Sequence, residues 1–198
     1  MAVDGFVIDI VRGQQLIEIQ TANFTAVKRK LSQLLGNHPV YLIYPVAEKK
    51  WIVRQTAVGE PIGRRKSPKR GRAIDIFKEL VRIPHLLPQP NLTIGVLLTQ
   101  QEEILRDDGR GSWRRKRWSI YDRRLLDVTA ETTFNRPADF LQLLPDDLPQ
   151  PFTNRQLCQQ ASITINLAQR ITYTLRHCDV LEVVGKEGNA LLYTFNQL

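Results

Sequence analysis

Two short runs of alternating, β-branched character, residues 6–11 and 16–20, are joined by Arg12-Gly13-Gln14-Gln15. So short a linker, with a glycine free to turn, makes an antiparallel hairpin the natural fold of this stretch. With the turn centred between Gly13 and Gln14, Val11 faces Leu16, Asp9 faces Glu18 and Val7 faces Gln20. Side chains alternate along a strand, so Ile8, Ile10, Ile17 and Ile19 fall on the other face. Directly opposed residues hold their Cβ atoms about 4.5–5.5 Å apart. The pattern therefore predicts two carboxylates and an amide gathered on one face of an otherwise apolar hairpin.

Carboxylates at that spacing repel each other, so either one keeps a proton or a cation lies between them. A hard divalent ion, Mg²⁺ or Mn²⁺, takes one or two carboxylates and retains several waters. Such an ion activates a water and stabilises the charge that builds on a scissile phosphate. The alternative is an edge hairpin whose Asp9 and Glu18 are simply solvated. Downstream, residues 21–35 carry Phe24, Val27, Leu31, Leu34 and Leu35 at helical spacing before Gly36, with Thr21 or Asn23 as cap. Lys28 lies at the border of the buried face, and Arg29 and Lys30 point outward. An apolar strand over residues 40–46 follows, then Trp51-Ile52-Val53.

A hairpin with Asp9, then Ile17-Glu18-Ile19-Gln20-Thr21, then a helix and an apolar strand, resembles the core of the restriction-endonuclease-like (PD-(D/E)XK) nucleases. The match is to the branch with Gln in place of the motif lysine, and it covers roughly the first 55 residues. The resemblance implies an α/β fold with a mixed-sheet core, shortened at its N-terminus because the family's opening helix has no counterpart before the first strand. It implies a metal-dependent phosphodiesterase with Asp9, Glu18, Gln20 and Lys28 as the catalytic set. In that reading Asp9 and Glu18 hold Mg²⁺ or Mn²⁺, Gln20 is the third motif residue, and Lys28 is a lysine that has moved onto the helix. Asp4 is the alternative first carboxylate.

The formal net charge of +8 favours a polyanionic partner, because each neutralised phosphate releases condensed counterions. The excess sits in two runs. One holds Arg64, Arg65, Lys66, Lys69 and Arg70; the other holds Arg114, Arg115, Lys116 and Arg117, bracketed by Trp113 and Trp118. Aromatic rings beside guanidinium groups suit stacking on bases as well as phosphate contact. DNA is the expected partner, and a homodimer is compatible with the chain. No apolar run approaches the roughly 20 residues a membrane span needs, and no signal peptide is evident. With two cysteines and no disulfide framework, a cytoplasmic location is expected. Other enzyme signatures are missing: there is no glycine-rich phosphate loop and no nucleophile elbow, and His38, His85 and His177 are scattered.

In the middle of the chain, residues 59–72 read as a basic loop and 74–81 as a short helix. Residues 92–98 read as a strand, 99–105 as helical, 118–128 as strand and 137–144 as a short helix. Further on, Thr153-Asn154-Arg155-Gln156 has capping-box spacing, with Phe152 and Leu157 placed as a hydrophobic staple. A second helix over residues 165–178 turns Leu167, Ala168, Ile171 and Leu175 inward, and residues 180–184 and 190–195 form a hairpin. Helix, turn, helix and hairpin resemble a winged helix-turn-helix, which implies DNA contacts from Asn166, Gln169, Arg170 and Lys186. The expected organisation is a nuclease-like core (1–58), a basic middle (59–148) and a winged helix (149–198). Three functions follow: a nuclease, a DNA-binding protein without catalysis, or an assembly module.

Overall fold

The computed structural model describes residues 2–111, 113 and 118–196. Ala2–Val3 (β1) pairs with Phe6–Val7 (β2), and the hairpin follows as Ile10–Arg12 (β3) and Gln15–Ile19 (β4). Its register is the one the turn dictates: Ile10 opposes Ile17, Val11 opposes Leu16 and Arg12 opposes Gln15. Pairing stops short of Asp9, however, and Val7 opposes Ala2 rather than Gln20. The apolar face is not the buried one either. Leu16 and Glu18 are buried, whereas Ile10 and Ile19 are 48% and 42% exposed, and Ile8 alone of the four isoleucines is fully enclosed.

The helix that follows, Phe24–Leu34 (α1), explains the choice of face, since its Lys30 reaches Glu18. It buries Phe24, Val27, Leu31 and Leu34, each contributing about 1.5–3 kcal/mol on leaving water. Asn23 precedes it in the left-handed region (φ 59°) and its side chain caps nothing. Glu79 supplies the cap instead, its Oε2 accepting from the Phe24 N–H at 3.0 Å. An acceptor there suits the helix's positive end.

Val40–Gln55 (β5) runs parallel to β4, with Leu16 opposite Val40 and Ile19 opposite Ile43. Pro61–Lys66 (β6) pairs antiparallel with the far half of β5, so Arg64, Arg65 and Lys66 of the first basic run lie on a strand, whereas Lys69 and Arg70 follow in loop. Leu92–Arg106 (β7) continues through residues 99–105, which are strand and not helix. The bonds Val40 N–H to Asn91 O and Asp107 N–H to Gln55 O step forward together, so β7 is parallel to β5. Ser119–Phe134 (β8) returns antiparallel, Thr93 meeting Asn135 and Thr129 meeting the Leu98 carbonyl. The strand order is β3-β4-β5-β7-β8, with β6 also on β5. The fold is thus mixed α/β, with few helices and a mixed sheet.

The chain divides into two compact units: Met1–Tyr44, Ile74–Val96 and Thr132–Leu198 in the first, Pro45–Ala73 and Leu97–Glu131 in the second. The segment 149–198 lies wholly in the first, whereas 1–58 and 59–148 contribute to both. The second unit is built from β6 and from parts of β5, β7 and β8. Within it Gly71 passes so close to β5 that a Cβ there would meet the Val46 side chain at 2.5 Å.

In the first unit, Phe77–Leu80 (α2) follows a 3-10 turn and presents Phe77 to Phe140, which stacks on Phe134 at 4.3 Å. Asn154–Gln160 (α3) and Ile165–Arg176 (α4) begin at capping threonines, and Leu181–Glu187 (β9) pairs with Ala190–Phe195 (β10). The capping box forms as expected: Gln156 N–H donates to Thr153 Oγ1, and Thr153 N–H donates to Gln156 Oε1 at 2.7 Å. Phe152 and Leu157 beside it are fully buried, as are Ala168, Ile171 and Leu175 of α4.

Candidate functional site

At the N-terminal corner the carboxylates are apart in their partnerships. Asp9 accepts from the Ile19 N–H at 2.8 Å, closing off the end of β4. Glu18 faces the interior and meets Lys30, whose Nζ lies 2.5 Å from Oε2 and also donates to the Val7 carbonyl. Gln20 turns back to donate to the carbonyl of Ala22. Lys28 is exposed and sits by His85, where its charge adds to burial in lowering the His85 pKa. The lysine at Glu18 is therefore Lys30, not Lys28. Asp4 pairs with His38 at 2.9 Å. α1 thus brings a lysine to Glu18, Lys30 in the place expected of Lys28, while Asp9 spends one carboxylate oxygen on the Ile19 N–H. Among the described residues no three His, Cys, Asp or Glu side chains gather as a metal-binding group.

The second unit carries a different kind of site. Along β5, Lys50, Ile52 and Arg54 share one face and Trp51 and Val53 the other, as strand alternation requires. On the first face lies a hollow of about 440 Å³. Its lining includes Lys50, Arg54, Arg65, Lys69 and Trp118, with Glu103 as the only carboxylate among the described residues. The guanidinium of Arg54 stands over the Trp118 ring, 5.2 Å from its centroid. Glu103 is held at 3.4 Å by both Lys50 and Arg123. The opposite face repeats the theme, with Arg64 over Trp51 at 4.7 Å and Lys66 at 6.0 Å. Arg64 is also tied to Glu102 at 2.7 Å.

Of the sequence-predicted contacts, Arg65 and Lys69 line the hollow, while Arg64 and Lys66 belong to the other face and Arg70 is exposed. Arg114, Arg115, Lys116 and Arg117 lie outside the described residues. Lys50 and Arg54 were not among the predicted contacts, and the signal was their spacing: two cations four residues apart on one face of a strand, alternating with Trp51 and Val53. In the first unit, Asn166 and Gln169 are exposed on α4 and Lys186 on β9. Arg170 is occupied, donating to Asn166 Oδ1 and to the Lys78 carbonyl, both at 2.9 Å.

No helix among the described residues is long and apolar enough to cross a membrane. No solved structure matches the chain. A protein of Treponema pallidum (strain Nichols), known there as an uncharacterized protein, is 32% identical over 191 residues, which is 96% of this chain and 75% of that one. The family model described as "Domain of unknown function (DUF8091)" matches residues 1–135, which run from β1 through the end of β8. By that match the chain belongs to the DUF8091 family.

Proposed function

We propose that this is a DNA-binding protein without catalytic activity, holding its polyanion on the basic sheet of the second unit. One observation carries this reading: among the described residues, four cationic side chains, a tryptophan and one carboxylate line a single hollow. A groove of that charge attracts phosphates through counterion release, and Trp118 offers a flat surface to a base. The N-terminal core is read as a restriction-endonuclease-like fold retained as scaffold. Hairpin, helix and parallel strand in that order support it, and Asp9, engaged by the Ile19 N–H instead of opposing Glu18 across the hairpin, supports its being inactive. The helices α3 and α4 with the β9–β10 hairpin are read as a winged helix-turn-helix, with Gln169 and Lys186 as its exposed polar groups and Asn166 holding Arg170. A cytoplasmic address suits a DNA ligand and two free cysteines.

A metal-dependent nuclease is the second reading, favoured by the nearness of Asp9 to the end of β4, where it accepts from the N–H of the residue after Glu18. Fluorescence anisotropy with labelled duplex and single-stranded DNA separates the two. Binding is expected to weaken linearly in log Kd against log salt. The variant Arg54→Ala/Arg65→Ala/Lys69→Ala is expected to flatten the slope by roughly 3 if each cation meets one phosphate. An unchanged slope would remove the hollow from the interface. The same mixtures with Mg²⁺ or Mn²⁺ are expected to leave supercoiled DNA intact. Nicking that Glu18→Gln abolishes would establish the nuclease instead.

A further inference from the structure

β8 ends the strand order of the sheet, and no further strand lies beyond it among the described residues. It is sixteen residues long and exposed over nearly its whole length, with Leu125 62%, Tyr121 56%, Leu126 46% and Val128 44% exposed. A long free edge carrying apolar side chains offers unpaired N–H and C=O groups to another chain unless something prevents it. β8 has no proline and no glycine between Ser119 and Phe134.

We propose that this edge pairs with the same edge of a second copy, antiparallel, about a two-fold axis at Leu125. The charges select that register. A two-fold axis perpendicular to the sheet returns each face to itself, so opposed residues must lie on the same face of β8. With period-two alternation, only registers centred on a residue are then allowed. Centring on Asp122 or Asp127 opposes that aspartate to itself, and centring on Arg123 or Arg124 does the same to an arginine. Like charges directly opposed are destabilising. Centring on Leu126 avoids this but sets Leu125 against Asp127 and forms no ion pair. Centring on Leu125 opposes Arg123 to Asp127 twice, once on each side of a Leu125–Leu125 contact. It also sets Tyr121 against Thr129 and Ile120 against Ala130, with no like charges opposed anywhere between them.

The side chain of Arg123 is 64% exposed and its ion pair to Glu103, its one such pair among the described residues, stretches to 3.4 Å, which leaves it within reach of a second carboxylate. Pairing joins the second units of two copies edge to edge as β6-β5-β7-β8-β8-β7-β5-β6. The two β5 strands then lie five strand intervals apart, about 24 Å at roughly 4.8 Å each. A dimer of this kind would present two basic hollows on one continuous surface, although the pairing itself does not depend on what those hollows bind.

Sedimentation velocity over a concentration series tests the proposal with the full chain, its Arg123→Asp and Asp127→Arg variants, and the two substitutions combined. Each single reversal opposes like charges at two places and is expected to raise the dimer dissociation constant by roughly tenfold or more. The combined variant restores both ion pairs with their signs exchanged, and its dissociation constant is expected to return close to that of the parent. Both positions of change are on the exposed edge, and thermal melts establish that each variant is folded. A parent that stays monomeric overturns the proposal. So does a dimer indifferent to the single reversals, or a combined variant as weak as either parent substitution.

Discussion

At the scale of single residues, the corner around Glu18 turns on one ammonium. Glu18 and Lys30 are almost fully enclosed, with side-chain exposures of 10% and 14%. Truncating one member of such a pair leaves the other charge without compensation in a poorly solvated place. Lys30→Ala is expected to cost about 3–5 kcal/mol, read as a lower urea midpoint, whereas Glu18→Gln/Lys30→Met together should cost much less. That Glu18 belongs to a hairpin face could be read from the alternation about Gly13. Which lysine meets it could not. Lys28 is one turn beyond Phe24 and Lys30 one turn before Leu34, so both flank the buried stripe of α1. The side on which β4 passes decides between them, and only the tertiary arrangement contains that information.

Among the elements, those specified by near neighbours in sequence were legible. The capping box at Thr153 needs only residues three apart, and it formed as read, with Phe152 and Leu157 buried around it. Thr153→Ala removes the acceptor for the Gln156 N–H and is expected to cost about 1 kcal/mol. In a chain of this size, a calorimetric Tm should fall by roughly 2–4 °C. The start of α1 was misread for the converse reason, since its cap is Glu79, 55 residues away in sequence. Residues 99–105 contain Gln100, Gln101, Glu102 and Glu103, good helix formers that the sheet overrides. There β7 lies between β5 and β8, and its polar side chains are engaged by Lys50, Arg64 and Arg123. In β6 the density of charge in Gly63-Arg64-Arg65-Lys66 concealed the alternation that places Arg65 in the hollow and Arg64 over Trp51.

For the whole molecule, the sequence showed a mixed α/β chain but not its division, because both units are assembled from segments far apart in sequence. The core of the first unit also sets an alkaline limit to folding. Burial, with Glu79 and Asp75 adding repulsion, pushes the Tyr44 pKa from 10.0 up to about 12. Burial and then Asp179 push the Cys178 thiol from 9.0 up to about 12. Both groups hold their protons more tightly when folded, so the stability they contribute is complete below about pH 9 and falls as pH rises towards 12. Urea unfolding followed from pH 8 to 11 should show this loss, and Tyr44→Phe should make the decline shallower. A decline identical in the variant would exclude Tyr44 as its source.

The ammonium at Glu18 also determines what this corner of the protein depends on. A countercharge delivered by Lys30 is installed when the chain is translated and remains for the life of the molecule. It is not drawn from the surrounding solution, so no chelator strips it out and no shortage of ions leaves the corner empty.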